Sequence, residues 1–323
     1  AASDVYKRQQ ITIAGQSAGA GSVLTQMTCP DNFGLFQRAV IMSGMIRSPY
    51  AEEGMGIPPS LDEAEKLGEK FFNYLGVKTL AEARPLDAKY IRDCYDKFMY
   101  ENEIMVTSRD NNICIGDPIR LFAQGEYAGV PVLAGNTEDE FPFMIDAQNE
   151  EELEKKASAW FCKKAEEFLA IPQVHEQTKD GYAPVSGMEL MTKAAFLLNE
   201  KSVKPANCYY YRFAPDIPGE DHPGTFHSVD LWFFFETLAK CWRPFVGRHY
   251  DLARQMCNYW ANFIKYGDPN GTDDDGKVLP KWNPYQENDR AEMVFTAQGA
   301  KSGNEKNSKL MEFLLSDRIE RMK

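Results

Sequence analysis

Ile11-Thr-Ile-Ala-Gly-Gln-Ser-Ala-Gly-Ala-Gly-Ser22 is the stretch on which the rest of the chain is organised. A β-branched run, Ile11 to Ile13, leads into Gly15-x-Ser17-x-Gly19. Small residues follow, and then Val23, Leu24 and Met27 at helical spacing. The pattern predicts a strand, a tight turn and a helix with serine at the apex. Gly15 and Gly19 are expected to relieve a strained turn and to let the helix press against the strand. The Ser17 oxygen is then exposed above a sheet, and the Ala18 N–H at the helix start can face a developing oxyanion. With Gly and Ser each near ~7% of residues, the three fixed positions match by chance about 0.1 times in a chain this long. The strand and helix around them, more than the triplet, carry the reading of a nucleophile.

The 323 residues are 43% hydrophobic and 26% charged, which suits a soluble globular chain with a large core. A formal net charge of −12 argues against a nucleic-acid partner, and no basic cluster opposes it. The densest apolar run, Leu231-Trp-Phe-Phe-Phe235, is too short to span a membrane, so no membrane partner is expected. Seven cysteines are scattered without metal-ligand spacing, which favours reduced thiols and a cytoplasmic setting. Neither a metal nor another cofactor is expected. Residues 1–10 carry no pattern and read as a non-native leader.

Along the chain, Ala39 to Met42 and Val130 to Gly135 are continuous apolar runs of the kind buried in parallel sheets. A capping box, Ser60-x-x-Glu63, opens a helix with Leu61, Ala64, Leu67, Phe71 and Leu75 on one face. Short helices are expected from Leu80 to Tyr100 and an acidic helical segment from Glu150 to Ala170. Asn207 to Phe213 is a strand, and an aromatic helix follows Phe226. A long helix carries Leu252, Met256, Tyr259, Trp260 and Phe263 and stops at Gly267 before Asp-Pro-Asn-Gly271. A short strand at Met293 to Phe295 and a helix at Ser308 to Leu315 close the chain. Strands alternating with helices mean an α/β sheet, with no clear interdomain linker.

A serine nucleophile needs a base, and the base an orienting carboxylate. Both belong on loops at the carboxyl ends of strands. The run Val132-Leu-Ala134 is followed by Glu138, Asp139 and Glu140. Glu140 precedes Phe141-Pro-Phe143, whose rings would desolvate it, but local pattern does not separate it from a solvated loop charge. Among four histidines, His175 and His249 read as surface residues and His222 sits in an acidic loop. His227 lies between a loop glycine and an aromatic wall, a setting that suits proton transfer as well as simple packing.

Gly-Gln-Ser17-Ala-Gly, Gly34-Leu-Phe-Gln-Arg-Ala-Val-Ile-Met-Ser-Gly44, Gly135-Asn-Thr-Glu-Asp-Glu140, Phe226-His-Ser-Val-Asp-Leu231, Tyr259-Trp-Ala-Asn-Phe-Ile-Lys-Tyr-Gly-Asp-Pro-Asn-Gly271 and Leu279-Pro-Lys-Trp-Asn-Pro-Tyr285 together resemble type-B carboxylesterases. This is the cholinesterase-like branch of the α/β-hydrolase fold, bacterial para-nitrobenzyl esterases included. The matches run in family order from Ile11 to Leu315. The resemblance implies an α/β-hydrolase fold: a mostly parallel central sheet with helices on both faces. It implies a serine esterase acting on a small-molecule ester, with Ser17 as nucleophile, Glu140 as acid and His227 as base. Phe141 stands where the family's acid is usually followed by glycine. Asp230 matches a family acidic position and is expected to fix its loop. The family carries an upstream His-Gly-Gly loop with further oxyanion donors, and no His-Gly pair occurs here. Residues 11–323 are therefore expected to be the C-terminal portion of a single catalytic domain. Phe141, Phe143 and Trp232 to Phe235 are candidates for an apolar pocket. Two rival functions are a non-catalytic cholinesterase-like binding protein and thioester or amide hydrolysis on the same triad.

Overall fold

Apolar runs with no polar face supply the inner strands of the main sheet, and both faces of that sheet are covered. The computed structural model describes residues 10–52, 56–102 and 107–323. The leader expected over residues 1–10 therefore lies outside the described residues, apart from Gln10. The chain divides into two compact units, Ala1–Gly56 with Pro118–Lys323, and Ile57–Asp117.

The strands of the first unit are β1 (Thr12–Gln16), β2 (Arg38–Met42), β3 (Val132–Thr137), β4 (Pro142–Ile145), β5 (Gln177–Thr178), β6 (Gly181–Ser186), β7 (Cys208–Ala214), β8 (Tyr285–Gln286), β9 (Asp289–Thr296) and β10 (Gly299–Asn304). The main sheet has the order β1-β2-β3-β7-β9-β10, with β8 also paired to β9. Pairing is parallel from β1 through to β9, and β8 and β10 run antiparallel to β9. A second small sheet, β4-β6-β5, is antiparallel.

Period-two alternation sends successive side chains of each strand to opposite faces. Ala39, Ile41, Val132, Ala134 and Tyr210 enter one core with the helices Ala18–Thr28, Pro118–Ala123, Gly187–Glu200 and Lys309–Met322. Val40, Met42, Leu133, Tyr209, Tyr211 and Phe213 enter the other with Asp230–Phe234 and Gly247–Tyr266. Two wet-free faces explain why β2 and β3 read as unbroken apolar runs.

The long helix Gly247–Tyr266 stops at Gly267, whose φ of 75° is left-handed. Beyond it the Asn270 amide donates to Asp268 and to the Trp282 carbonyl and accepts from the Trp282 N–H, so the turn is locked to a fully buried tryptophan. The closing helix runs further than expected, over Lys309–Met322, with Ser308 accepting from the Met311 N–H as its cap. Asp317 and Arg321, one turn apart and 2.6 Å from each other, support the added turns.

Among its described residues the unit Ile57–Asp117 holds the helices Leu61–Leu75, Leu80–Ala83 and Ala88–Glu101. The capping box is formed: Ser60 Oγ accepts from the Glu63 N–H, and the Glu63 carboxylate accepts from the Ser60 N–H at 2.7 Å. Its small core is Phe71, Leu75, Val77, Ala83 and Phe98, while Leu61, expected on the apolar face, is exposed.

Between Ala170 and Asn207 the sequence suggests only a polar helix-like setting around His175, yet the structure places β5, β6 and the helix Gly187–Glu200 there. That helix is buried on nearly every side, including Lys193. The Lys193 ammonium pairs with Glu189 at 2.6 Å and Glu305 at 2.8 Å, and Glu305 also holds Arg290 and the Tyr285 hydroxyl. Removing one partner of such a network strands the other charge, so Glu305→Gln should lower the unfolding free energy by about 3 kcal/mol. A urea midpoint within error of the parent would show that Glu189 and Asn307 suffice for Lys193.

Candidate active site

β1 delivers the chain to Ser17 with φ 55° and ψ −123°, and the helix Ala18–Thr28 starts at the next residue. A non-glycine residue at positive φ costs about 1–3 kcal/mol and persists only where its surroundings hold it. Here the Ser17 N–H is bonded to the Met42 carbonyl at 2.9 Å, and the Ser17 carbonyl accepts from the Ala20 and Gly21 N–H groups. A Cβ at Gly15 would strike the Gly19 carbonyl, so strand and helix approach more closely than any side chain permits. Gly19 itself faces open space, and the strained angles sit on Ser17. The need for glycine on both flanks is thus corrected to a need at Gly15. Ala18, as first residue of the helix, has an N–H with no intrahelical acceptor.

Beyond the carboxyl end of β3 the three neighbouring acids separate into three arrangements. Glu138 pairs with Arg212 at 2.6 Å. Asp139 accepts from the Thr225 N–H at 2.6 Å and bridges to Phe226, which ties this loop to the one bearing His227. Glu140 turns inward: its Oε1 accepts from the Thr137 N–H and hydroxyl, and its Oε2 lies 2.6 Å from His227 Nδ1. Burial works against the charged form of Glu140. The hydrogen bond to His227, the dipole of the nearby Ser43 hydroxyl and the Thr137 N–H outweigh it and hold the carboxyl below its ordinary value. A carboxylate at Nδ1 places the imidazole proton there and leaves the Nε2 lone pair outward. Among the described residues the Gln16 amide nitrogen, on the residue before Ser17, lies 3.3 Å from Nε2.

Phe141 stacks on the His227 ring, with centroids 4.7 Å apart and planes inclined by 44°. More than half of Phe141 is exposed, and its ring lies against the imidazole that Glu140 holds. Phe143 packs beside Gly187. Phe233 is fully buried against Phe213 and Phe245, Trp232 meets Phe226 and Phe245, and Phe234 meets Trp260. These rings belong to the core cluster, while Phe235 is exposed.

A second carboxylate lies behind the first. Asp230 is fully buried, accepts from the Tyr211 hydroxyl at 2.9 Å, and has no partner for Oδ1 among the described residues. Burial pushes its pKa from 3.8 to about 6; the Tyr211 bond pulls it back and the Glu140 charge adds to the rise. Ser43, not singled out in the sequence, is buried with φ 51° next to this pair, and its backbone N–H reaches the Gly135 carbonyl at 2.8 Å. Its one sequence signal is its place directly after a buried strand.

His249 corrects the sequence reading: it is buried, not superficial. Its Nδ1 accepts from the Val246 N–H at 2.9 Å, Nε2 faces the Asp216 carbonyl, and burial lowers its pKa. It caps the helix Gly247–Tyr266. His175 lies at the surface between Glu150 and the Leu169 carbonyl, and His222 is an exposed loop residue. No three metal-ligating side chains converge among the described residues.

A profile of the Carboxylesterase family matches residues 7–314. The chain belongs to that family. It is 26% identical over 312 residues to bovine bile salt-activated lipase, covering 85% of this chain and 51% of the lipase. It is 24% identical over 316 residues to human cocaine esterase, covering 87% and 53%. With para-nitrobenzyl esterase of Bacillus subtilis it shares 22% over 311 residues, 89% of this chain and 58% of that enzyme. The chain spans about half the length of the curated relatives it matches. A solved thermophilic pNB esterase superposes with a TM-score of 0.66 at 20% identity, over 98% of this chain and 63% of that one. The carboxylesterase-family chain therefore has the α/β-hydrolase fold, with β1 to β3, β7 and β9 as its parallel strands.

Asp230 sets a pH dependence. An acid whose folded pKa is raised keeps its proton where the unfolded chain has lost it, so its contribution falls as pH rises from about 4 to about 6 and stays unfavourable above. Asp230→Asn, which still accepts from Tyr211, should stabilise the protein by roughly 2–3 kcal/mol at pH 8 and by little at pH 4. Urea unfolding at both pH values checks this, and equal gains at the two would refute it.

Proposed function

We propose that this chain carries the catalytic serine, acid and base of a carboxylic-ester hydrolase. The observation that carries the reading is the buried Glu140 carboxylate 2.6 Å from His227 Nδ1, with the opposite ring nitrogen turned to the residue before Ser17. In this reading Ser17 Oγ attacks the ester carbonyl while His227 Nε2 takes its proton. The tetrahedral oxyanion faces the Ala18 N–H. His227 returns the proton to the leaving alcohol, and a water activated by the same nitrogen releases the acid from Ser17. Glu140 fixes the tautomer and stabilises the charged imidazole. Asp139, through Thr225, holds the acid and histidine loops in register. The family relatives named esterases and lipases support a small-molecule ester as substrate.

Covalent labelling by a fluorophosphonate probe tests the proposal, in this chain and in a version extended upstream to the length of its relatives. Labelling should vanish in Ser17→Ala, and turnover of a p-nitrophenyl ester should fall by roughly four orders of magnitude or more. A folded protein that never labels would refute the esterase reading and favour a non-catalytic binding role. Comparing ester, thioester and anilide forms of one acyl group separates esterase from thioesterase or amidase chemistry.

A further inference from the structure

The basic nitrogen of His227 is already occupied. Gln16 Nε2 lies 3.3 Å from His227 Nε2, whereas Ser17 caps no helix N–H and forms no hydrogen bond with His227 among the described residues. The atom orientation is chemically consistent. Glu140 accepts a hydrogen bond from the Nδ1–H, so Nε2 presents a lone pair, and an amide N–H can donate to it where the amide oxygen would be repelled. Gln16 ends β1 and the left-handed angles of Ser17 reverse the chain at once, so two consecutive side chains compete for one ring nitrogen.

We propose that Gln16 is a positioning residue that gates acylation: it holds His227 Nε2 in the resting site, and the Ser17 hydroxyl must displace it before its proton can move. The inference rests on the ester-hydrolase reading. In the test reaction the Ser17 Oγ–P bond forms, the P–F bond breaks, fluoride leaves, and the serine proton passes to Nε2. A neutral hydrogen bond of this kind should slow that step by roughly two- to tenfold.

The experiment measures the second-order rate of labelling by a small alkyl fluorophosphonate in the parent, Gln16→Met, Gln16→Glu and Ser17→Ala, in the form of the protein that labels. Gln16→Met keeps the length and removes the donor, and should label roughly two- to tenfold faster. Gln16→Glu places a carboxylate on the same nitrogen and should label more slowly at neutral pH, recovering as pH rises. Among the described residues, the titratable groups facing the ring are Glu140 from the loop after β3 and Asp230 from the helix Asp230–Phe234, with Tyr211 of β7 bonded to Asp230. The new charge would therefore be the one contributed from β1. A purely structural Gln16 would make both substitutions slow at every pH. Ser17-dependent labelling that is unchanged or slower in Gln16→Met overturns this inference alone. Absence of Ser17-dependent labelling in every form overturns the ester-hydrolase reading with it.

Discussion

No side chain fits at Gly15, and the site follows from that contact. Because the end of β1 meets the Gly19 carbonyl directly, the chain has no room for a gradual turn and reverses within one residue, Ser17. The strain is held by a backbone bond from Ser17 to β2, a strand buried on both faces. A rigid parallel sheet is thus the anchor for one unfavourable pair of angles. Those angles carry the chain from Gln16, whose amide reaches His227 Nε2, into the helix that starts at Ala18.

The loops bearing Glu140 and His227 meet each other beyond the neighbouring strands β3 and β7. β3 and β7 are neighbours in exact parallel register from Val132 and Cys208 to Thr137 and Phe213, so the loops that leave them emerge side by side. Asp139 ties them together with a short bond to the Thr225 backbone, and Glu140 with a short bond to His227. Positioning is therefore shared between two consecutive acids. One bonds the backbone of the neighbouring loop; the other is withdrawn from water and faces the imidazole.

The parallel strands were legible because covered faces leave no polar alternation, as in Ala39 to Met42. The elbow was legible because few folds place Gly-x-Ser-x-Gly between such a run and a helix. The small sheet β4-β6-β5 was not, since Pro142, Gly181 and Pro184 interrupt any strand period. Nor was the helix Gly187–Glu200, where burial on all sides erases the stripe that marks a helix. His249 was misread from its neighbours Arg248 and Tyr250. Its spacing of four and seven from Ala253 and Met256 puts it on the buried stripe, and that signal was present. The separate duties of Glu138, Asp139 and Glu140 had no local signal, because they are decided by which distant group each one meets: Arg212, Thr225 or His227.

The turn after the longest helix bears on how the protein can be made. Asn270-Gly-Thr272 has the form of an acceptor for N-linked sugar. Yet the Asn270 amide nitrogen is held by Asp268 and the Trp282 carbonyl, and its oxygen by the Trp282 N–H. A glycan on that nitrogen would replace one of its two hydrogens, so the bond to Asp268 or the bond to the Trp282 carbonyl would be lost. In a secretory host, the modification and the complete set of native turn bonds therefore compete for the same asparagine.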